Sequence, residues 1–305
     1  MKNIGIVYAL LAYLIWGIVP IFWRMIDHVP SVEIVAHRIL WSSIMVLVMI
    51  VLLTQWREFT ALFKQKSILF RLLIASILVS INWGIYIWAV NTGHIVESSM
   101  GYFINPLFNV VLGVLIFKER LRQNQILAIS LAAIGVAYLI LIHGEVPYIA
   151  LSLAFTFGCY GAIKKSIPVP AIQSMAVETS LLIIPAIGYL VYLSSQNQFS
   201  FGADIQSDIF LVLAGAVTLA PLILFSAAAQ KISMTALGMT QYLGPTLQLI
   251  IGVWVFNEPF GSERQISFGL IWLGLFFYTA DQLHHRRRRR AIESGAGVVV
   301  KKRET

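Results

Sequence analysis

Arg38, Glu97 and Glu178 each fall within a long apolar stretch of this chain. In hydrocarbon, a charged side chain near a helix centre costs about 2.5–3.5 kcal/mol on insertion scales, so such groups face a wet cavity or one another. Arg38 lies about five residues into its stretch. It attracts an anionic group of a bound molecule or pairs with Glu97 across helices; the alternative is an arginine snorkelling to the headgroups. Glu178 lies about two turns into its stretch, with no ionic neighbour there. That makes it the candidate for a proton or substrate-amine site, against a buried carboxyl bonded to a neighbouring helix. Glu97 sits near the end of its stretch, where a solvated interfacial carboxylate is the competing reading. His37 precedes Arg38 and points about 100° away on a helix, a candidate pH-sensitive group on a different face.

Uncharged polar residues form two matching stripes. Ser99, Tyr102, Pro106, Asn109 and Gly113 are spaced to share one helical face, and Gly238, Gln241, Pro245, Gln248 and Gly252 repeat that spacing. Each stripe lines a cavity or serves close helix packing through small residues. Pro106 and Pro245 lack an N–H, so each kinks its helix and frees a carbonyl one turn earlier, at Tyr102 and Gln241. Asn105 shares a neighbouring face with Glu97 and Gly101. Asn82, Trp83 and Tyr86, with Trp16, Tyr102 and Tyr242, are candidates for an aromatic pocket suited to flat or amphipathic molecules. The alternative is an interfacial aromatic belt.

The elements that must position these groups follow from composition. The chain has 305 residues, 58% hydrophobic and 12% charged. Soluble domains carry about 25% charged residues, so a water-soluble globule is excluded. Ten apolar stretches are each about long enough to span a bilayer. They are 4–23, 33–53, 71–90, 95–117, 124–142, 147–163, 171–193, 208–229, 234–256 and 264–282. The first reads as a retained helix, because a signal peptide would have a shorter core and a cleavage site. With the N-terminus on the cytoplasmic side, all of the 22 Lys and Arg except Arg24, Arg38 and Arg264 fall inside. The expected fold is therefore all-α and integral to the membrane, with ten helices and both termini cytoplasmic.

An offset of 139 residues aligns Pro106 with Pro245, Gly113 with Gly252, Phe117 with Phe256, Glu119 with Glu258 and Gly135 with Gly274. Five spans per copy force the second copy upside down. The basic run after Glu119 has no counterpart after Glu258, which agrees with inversion. The expected organisation is a first repeat over 1–143, a second over 144–283, and a basic cytoplasmic tail over 284–305. Inverted repeats of this kind are the architecture of many secondary transporters, with a substrate site near the midplane.

Tyr13 to Gly17, His37 to Ser42, Asn82-Trp83, Ile87 to Asn91, Gly101 to Leu107 and Gln241 to Thr246 give the chain a family resemblance. It resembles EamA-type permeases of the drug/metabolite transporter superfamily, and within them the RarD subfamily, whose name refers to chloramphenicol sensitivity. The broader EamA pattern appears as Glu119, Gln125 and Gly135, and again as Glu258, Gln265 and Gly274. The resemblance implies a ten-helix fold and movement of small molecules, often outward. It does not name the substrate.

The expected function is a secondary transporter of a small metabolite or drug-like molecule by alternating access, in the plasma (bacterial inner) membrane. A lipid-linked substrate flippase is the first rival, and an intramembrane enzyme the second. No nucleotide-binding motif or paired catalytic motif appears, and no cofactor is implied. Cys159 is the single cysteine, so no cysteine-based metal site can form, and H-E-x-x-H is absent. The run Arg286 to Arg290 after a span is expected to fix topology and touch anionic lipid rather than nucleic acid.

Overall fold

The computed structural model describes residues 2–91, 95–143, 147–255 and 261–301; side chains at 2, 3, 87, 90, 91, 95–99, 143, 264 and 286–301 lie outside the description. Twelve α-helices carry the described residues: α1 (Lys2–Trp23), α2 (Ser31–Leu52), α3 (Trp56–Leu62), α4 (Lys66–Asn91), α5 (Ile95–Leu115) and α6 (Gln123–His143), then α7 (Tyr148–Ser166), α8 (Ala171–Ser195), α9 (Ile205–Ala229), α10 (Met234–Gln241), α11 (Leu243–Trp254) and α12 (Ser262–Lys301). No strand occurs among the described residues. Among the described residues seven helices are long and apolar enough to cross a membrane, and Met100–Leu115 of α5 is a shorter apolar stretch. The protein is a multi-pass, all-helical membrane protein.

Each of the ten apolar stretches coincides with helix. Two local features differ from expectation. A short helix, α3, lies between the second and third stretches, and the ninth stretch is two helices, α10 and α11, separated at Tyr242. Proline explains the break. Pro245 has no N–H to return to the Gln241 carbonyl, and the chain resolves this by ending α10 at that residue. Pro106 instead sits inside an unbroken α5.

The helices gather into two compact units. The first holds residues 1–119 and 147–259, the second 120–146 and 260–305. In the first unit the main helix pairs are α5 with α7, α2 with α8 and α9, α1 with α9 and α11, α10 with α5, and α4 with α7 and α8. Helices of the first sequence half therefore pack chiefly on helices of the second. Small residues make these crossings close. A Cβ on Gly238 would meet the Pro106 carbonyl oxygen at 2.4 Å. One on Gly215 of α9 would meet Trp41 Cβ at 2.5 Å and the Ser42 backbone N at 2.8 Å on α2. Hydrogen bonds reinforce the contacts: Ser42 Oγ donates to the Gly215 carbonyl at 2.9 Å, and Ser43 Oγ to the Thr179 carbonyl of α8 at 3.1 Å. So α2 is fastened to α9 on one side and α8 on the other.

In the second unit, α6 and α12 pair through a reciprocal contact. A Cβ on Gly135 would meet the Ser267 carbonyl oxygen at 2.8 Å, and one on Gly274 the Ala128 carbonyl oxygen at 2.5 Å. Arg122 Nε donates to Asp281 Oδ2 at 2.8 Å, closing one end of the pair.

Gly215→Leu should wedge α9 off α2. Overpacking of this kind costs about 1–3 kcal/mol. The variant should show a lower melting temperature than wild type in detergent, while Gly188→Leu, at a glycine with open space around its Cβ, should not.

Candidate functional site

Arg38 is placed by the α2–α9 crossing. Gly215 brings the helices together, and Thr218 lies one turn further along α9. Arg38 Nε donates to Thr218 Oγ1 at 2.8 Å. The guanidinium lies between two indoles, its Cζ 4.9 Å from the Trp23 ring centroid and 4.9 Å from that of Trp83. Tyr86 and Tyr102 stand beside it, their rings edge to face with centroids 6.2 Å apart. Among the described residues no carboxylate is within ion-pair distance of Arg38. Cation–π contacts of this sort contribute about 0.5–2 kcal/mol each.

Arg38 lines a narrow cleft, of about 20 Å³, with Ser42 on α2, Trp83 on α4, Tyr160 on α7, Glu178 on α8 and Thr218 on α9. Glu178 contributes the opposite charge, but not alone. Lys164 of α7 is fully buried, and its Nζ lies 2.5 Å from Glu178 Oε1. Lys164 also bonds to Ser174 Oγ, which donates to the same carboxylate oxygen at 3.0 Å. The geometry is a seam: Tyr160 and Lys164 are one turn apart on α7, Ser174 and Glu178 one turn apart on α8. Glu178 Oε2 is buried and has no hydrogen-bond partner.

His37 faces elsewhere. It is buried against Phe199 and Phe201, with ring centroids 5.7 and 5.3 Å away, and neither ring nitrogen is hydrogen-bonded. Its Nε2 is 3.8 Å from Glu33 Oε1. Glu33 in turn accepts from Ser200 N and Ser200 Oγ, both at 2.7 Å. The 196–204 connection is thereby strapped onto one face of α2. Asp204 then caps α9, accepting from Ser207 N at 2.9 Å. That backbone bond, with the Ser207 hydroxyl, holds the Asp204 carboxyl below its ordinary range. The cap is thus retained above that range and lost on acidification below it.

The matched polar stripes meet. Asn109 Nδ2 donates to Gln241 Oε1 at 2.8 Å and to Asn105 Oδ1 at 3.1 Å, and Asn105 donates to the Ala154 carbonyl. Tyr242 Oη donates to the Phe103 carbonyl at 3.3 Å, and Gln248 to the Trp16 carbonyl at 3.1 Å. Asn82 donates to the Leu153 carbonyl and Thr156 Oγ1, both at 2.9 Å, joining α4 to α7. These amides fasten helices together. Trp16 packs among Tyr13, Phe157 and Phe225 in the core and does not line the cleft. The structure thus brings Arg38, Trp83, Tyr86, Tyr102 and Glu178 to one region, and leaves His37 outside it. The side chain of Glu97 lies outside the described residues, as do Phe256 to Phe260 and hence Glu258. Glu119 accepts from the backbone N–H groups of Met234 and Thr235 at 2.6 and 3.0 Å and from Thr235 Oγ1 at 2.7 Å, capping α10 from a distant part of the chain.

The comparisons with known proteins carry the same sense. Residues 3–141 match the EamA-like transporter family. Protein RarD of Streptomyces exfoliatus is 40% identical over 98% of this chain and 96% of its own. Protein RarD of Escherichia coli is 39% identical over 93% of this chain and 96% of its own. The chain belongs to the EamA-like transporter family. An uncharacterized transporter of Bacillus subtilis, YojE, is 39% identical over 93% of this chain and 96% of its own. A crystal structure only 15% identical shares the fold with a TM-score of 0.71, covering 90% of this chain and 97% of that one. The family is one of transporters and several relatives are named as transporters, so the protein is a transporter of the drug/metabolite superfamily and not an enzyme.

Lys164, Trp23, Thr218 and Glu33 escaped the sequence reading. Lys164 stands beside Lys165 after an apolar stretch, the sequence position of a cytoplasmic base, but it is an internal counter-ion. One signal existed: a carboxylate in a span needs a partner, and the Lys164-Lys165 pair is the nearest set of bases in the chain.

Removing one member of a buried pair costs about 3–5 kcal/mol, whereas replacing both with apolar groups is often neutral. Lys164→Met should therefore strongly lower thermal stability in detergent, and Lys164→Met with Glu178→Met should restore most of it. A loss in the double variant equal to the sum of the Lys164→Met and Glu178→Met losses would show that the pair is not coupled.

Proposed function

We propose that the protein is a secondary transporter that moves a small molecule bearing an anionic group through the Arg38 cleft by alternating access. The observation that carries this reading is Arg38 itself: a guanidinium held between Trp23 and Trp83, on the cleft wall, with no carboxylate partner among the described residues. An anion supplies the missing counter-charge, and a flat group attached to it stacks on the same rings. Since a cargo-sized site is on the order of 300–1,000 Å³, the narrow cleft is read as a closed form that must open to load or release.

The architecture proposed is ten spanning helices in two inverted repeats, 1–143 and 144–283, with both termini cytoplasmic and the basic 284–305 tail at anionic lipid. Two observations support the repeat. Gly135 meets Ser267 while Gly274 meets Ala128, and these positions exchange under the 139-residue offset. The pairings α4 with α7 and α1 with α9 likewise exchange when the two halves are swapped. The positive charge of the segments proposed to face the cytoplasm supports the orientation in a bacterial inner membrane.

Counterflow in proteoliposomes tests the site. Labelled benzenesulfonate, a permanently charged aromatic anion, should exchange, and neutral benzenesulfonamide should compete poorly. Arg38→Ala should cut the apparent affinity at least tenfold, about 1.4 kcal/mol. Arg38→Lys, which keeps the charge and loses the planar stack, should fall between. Exchange unaffected by Arg38→Ala would remove Arg38 from the binding site.

A further inference from the structure

The cleft and the buried Lys164 behind it have an uneven charge balance. Arg38 and Lys164 are cations and Glu178 is the one carboxylate set against them among the described residues, leaving one positive charge over. Glu178 divides its two oxygens between different tasks. Oε1 accepts from Lys164 and Ser174, whereas Oε2 is buried, unpartnered and on a residue that lines the cleft. An unsatisfied buried carboxylate oxygen is costly unless something is delivered to it.

We propose that Glu178 and Lys164 form a proton-linked switch on the anion site, in which a proton on Glu178 Oε2 and an anion at Arg38 bind together. This rests on the anionic-cargo reading above. The proton passes from water in the cleft to Oε2 and neutralises the carboxylate. Lys164 keeps its ammonium proton and loses its counter-charge. The cleft and the buried position behind it then carry two uncompensated cations, a state that burial strongly disfavours unless an anion arrives. The reverse also holds: an anion at Arg38 is held more firmly once Glu178 ceases to repel it. Linkage makes the two effects equal. The outcome is a shared direction of movement, proton with anion.

The other ionisable groups around Glu178 do not provide this. α7 contributes Tyr160, which stands against both Lys164 and Glu178, and α2 contributes Arg38. Tyr86 of α4 and Tyr102 of α5 stand at the Arg38 end. The cleft-lining residues of α9 and the remaining ones of α4 are Thr218, Leu219, Leu222, Val79 and Trp83, none of which titrates. His37 is on α2 but stacks on Phe199 and Phe201, away from the cleft.

The test uses the purified full chain in detergent and benzenesulfonate, whose own charge does not change with pH. Calorimetry in buffers of different ionisation enthalpy reads both affinity and protons taken up. Wild type should bind more tightly toward acid pH, by up to about tenfold per pH unit, with uptake approaching about one proton per anion. Glu178→Gln, which mimics the protonated side chain, should bind tightly at every pH and take up no proton. Glu178→Gln with Lys164→Met, which also removes the uncompensated cation, should bind weakly at every pH, again without proton uptake. Binding by wild type that is independent of pH overturns the switch and leaves the Arg38 site standing. Proton uptake that survives Glu178→Gln and is lost in His37→Gln overturns it in favour of the Glu33–His37 pair. No binding at any pH overturns the anionic-cargo reading and the switch together.

Discussion

A charge inside a helical bundle surrounded by hydrocarbon is cut off from bulk water, and the bundle must answer it chiefly with its own groups. Each described buried charge in the first unit is answered differently. Arg38 is shielded by indole faces and one hydroxyl. Lys164 and Glu178 answer one another across α7 and α8. Glu33 is answered by a backbone N–H and a hydroxyl from a connection far away in sequence. Aromatic faces and neutral donors screen a charge without cancelling it, and among the described residues these are what Arg38 meets.

Close helix crossings make these answers possible. Cation–π and hydrogen-bond contacts fall off over a few ångströms, and side chains reach across an interface only where backbones approach. Gly215 lets α9 come near enough to α2 for Thr218 to reach Arg38. Gly238 does the same for α10 over Pro106, and brings Gln241 within reach of Asn109. Stability in such a bundle comes from packing and interhelical hydrogen bonds rather than from a hydrophobic drive between helices. The small residues are consequently part of the site's construction.

The helices and their apolar stretches were legible because hydropathy and length speak about one segment at a time. Arg38 and Glu178 were legible for the same reason: a charge stands out in an apolar run. What answers them was not, because it depends on which helix lies alongside. Lys164 has the sequence context of an interfacial base, and only its place on the seam with Ser174 and Glu178 makes it an internal partner. The polar stripes show the same limit. Their matched spacing is readable, but whether Asn109 faces a cavity or Gln241 is a matter of register between helices. Trp16 reads as one more mid-span aromatic, and its packing on Phe157 and Phe225 is fixed by residues some 140 or more positions away. Pro245 was recognised as a disturbance of its helix, yet the complete break at Tyr242 follows from how the chain relieves that disturbance in three dimensions.

The interleaving of the two sequence halves in the first unit has a consequence for synthesis. Multidomain chains commonly fold from the N-terminus forward, one domain at a time. Here α1, α2, α4 and α5 find their main neighbours among α7 to α11. While the ribosome is still making the second half, these helices can be inserted but cannot be packed. Gly215 and Thr218 are more than two hundred residues along the chain, so Arg38 waits in the lipid for most of translation before its site exists. The early helices must therefore be individually stable in the bilayer, and a chain that stops after its first half has no partial bundle of this design to settle into.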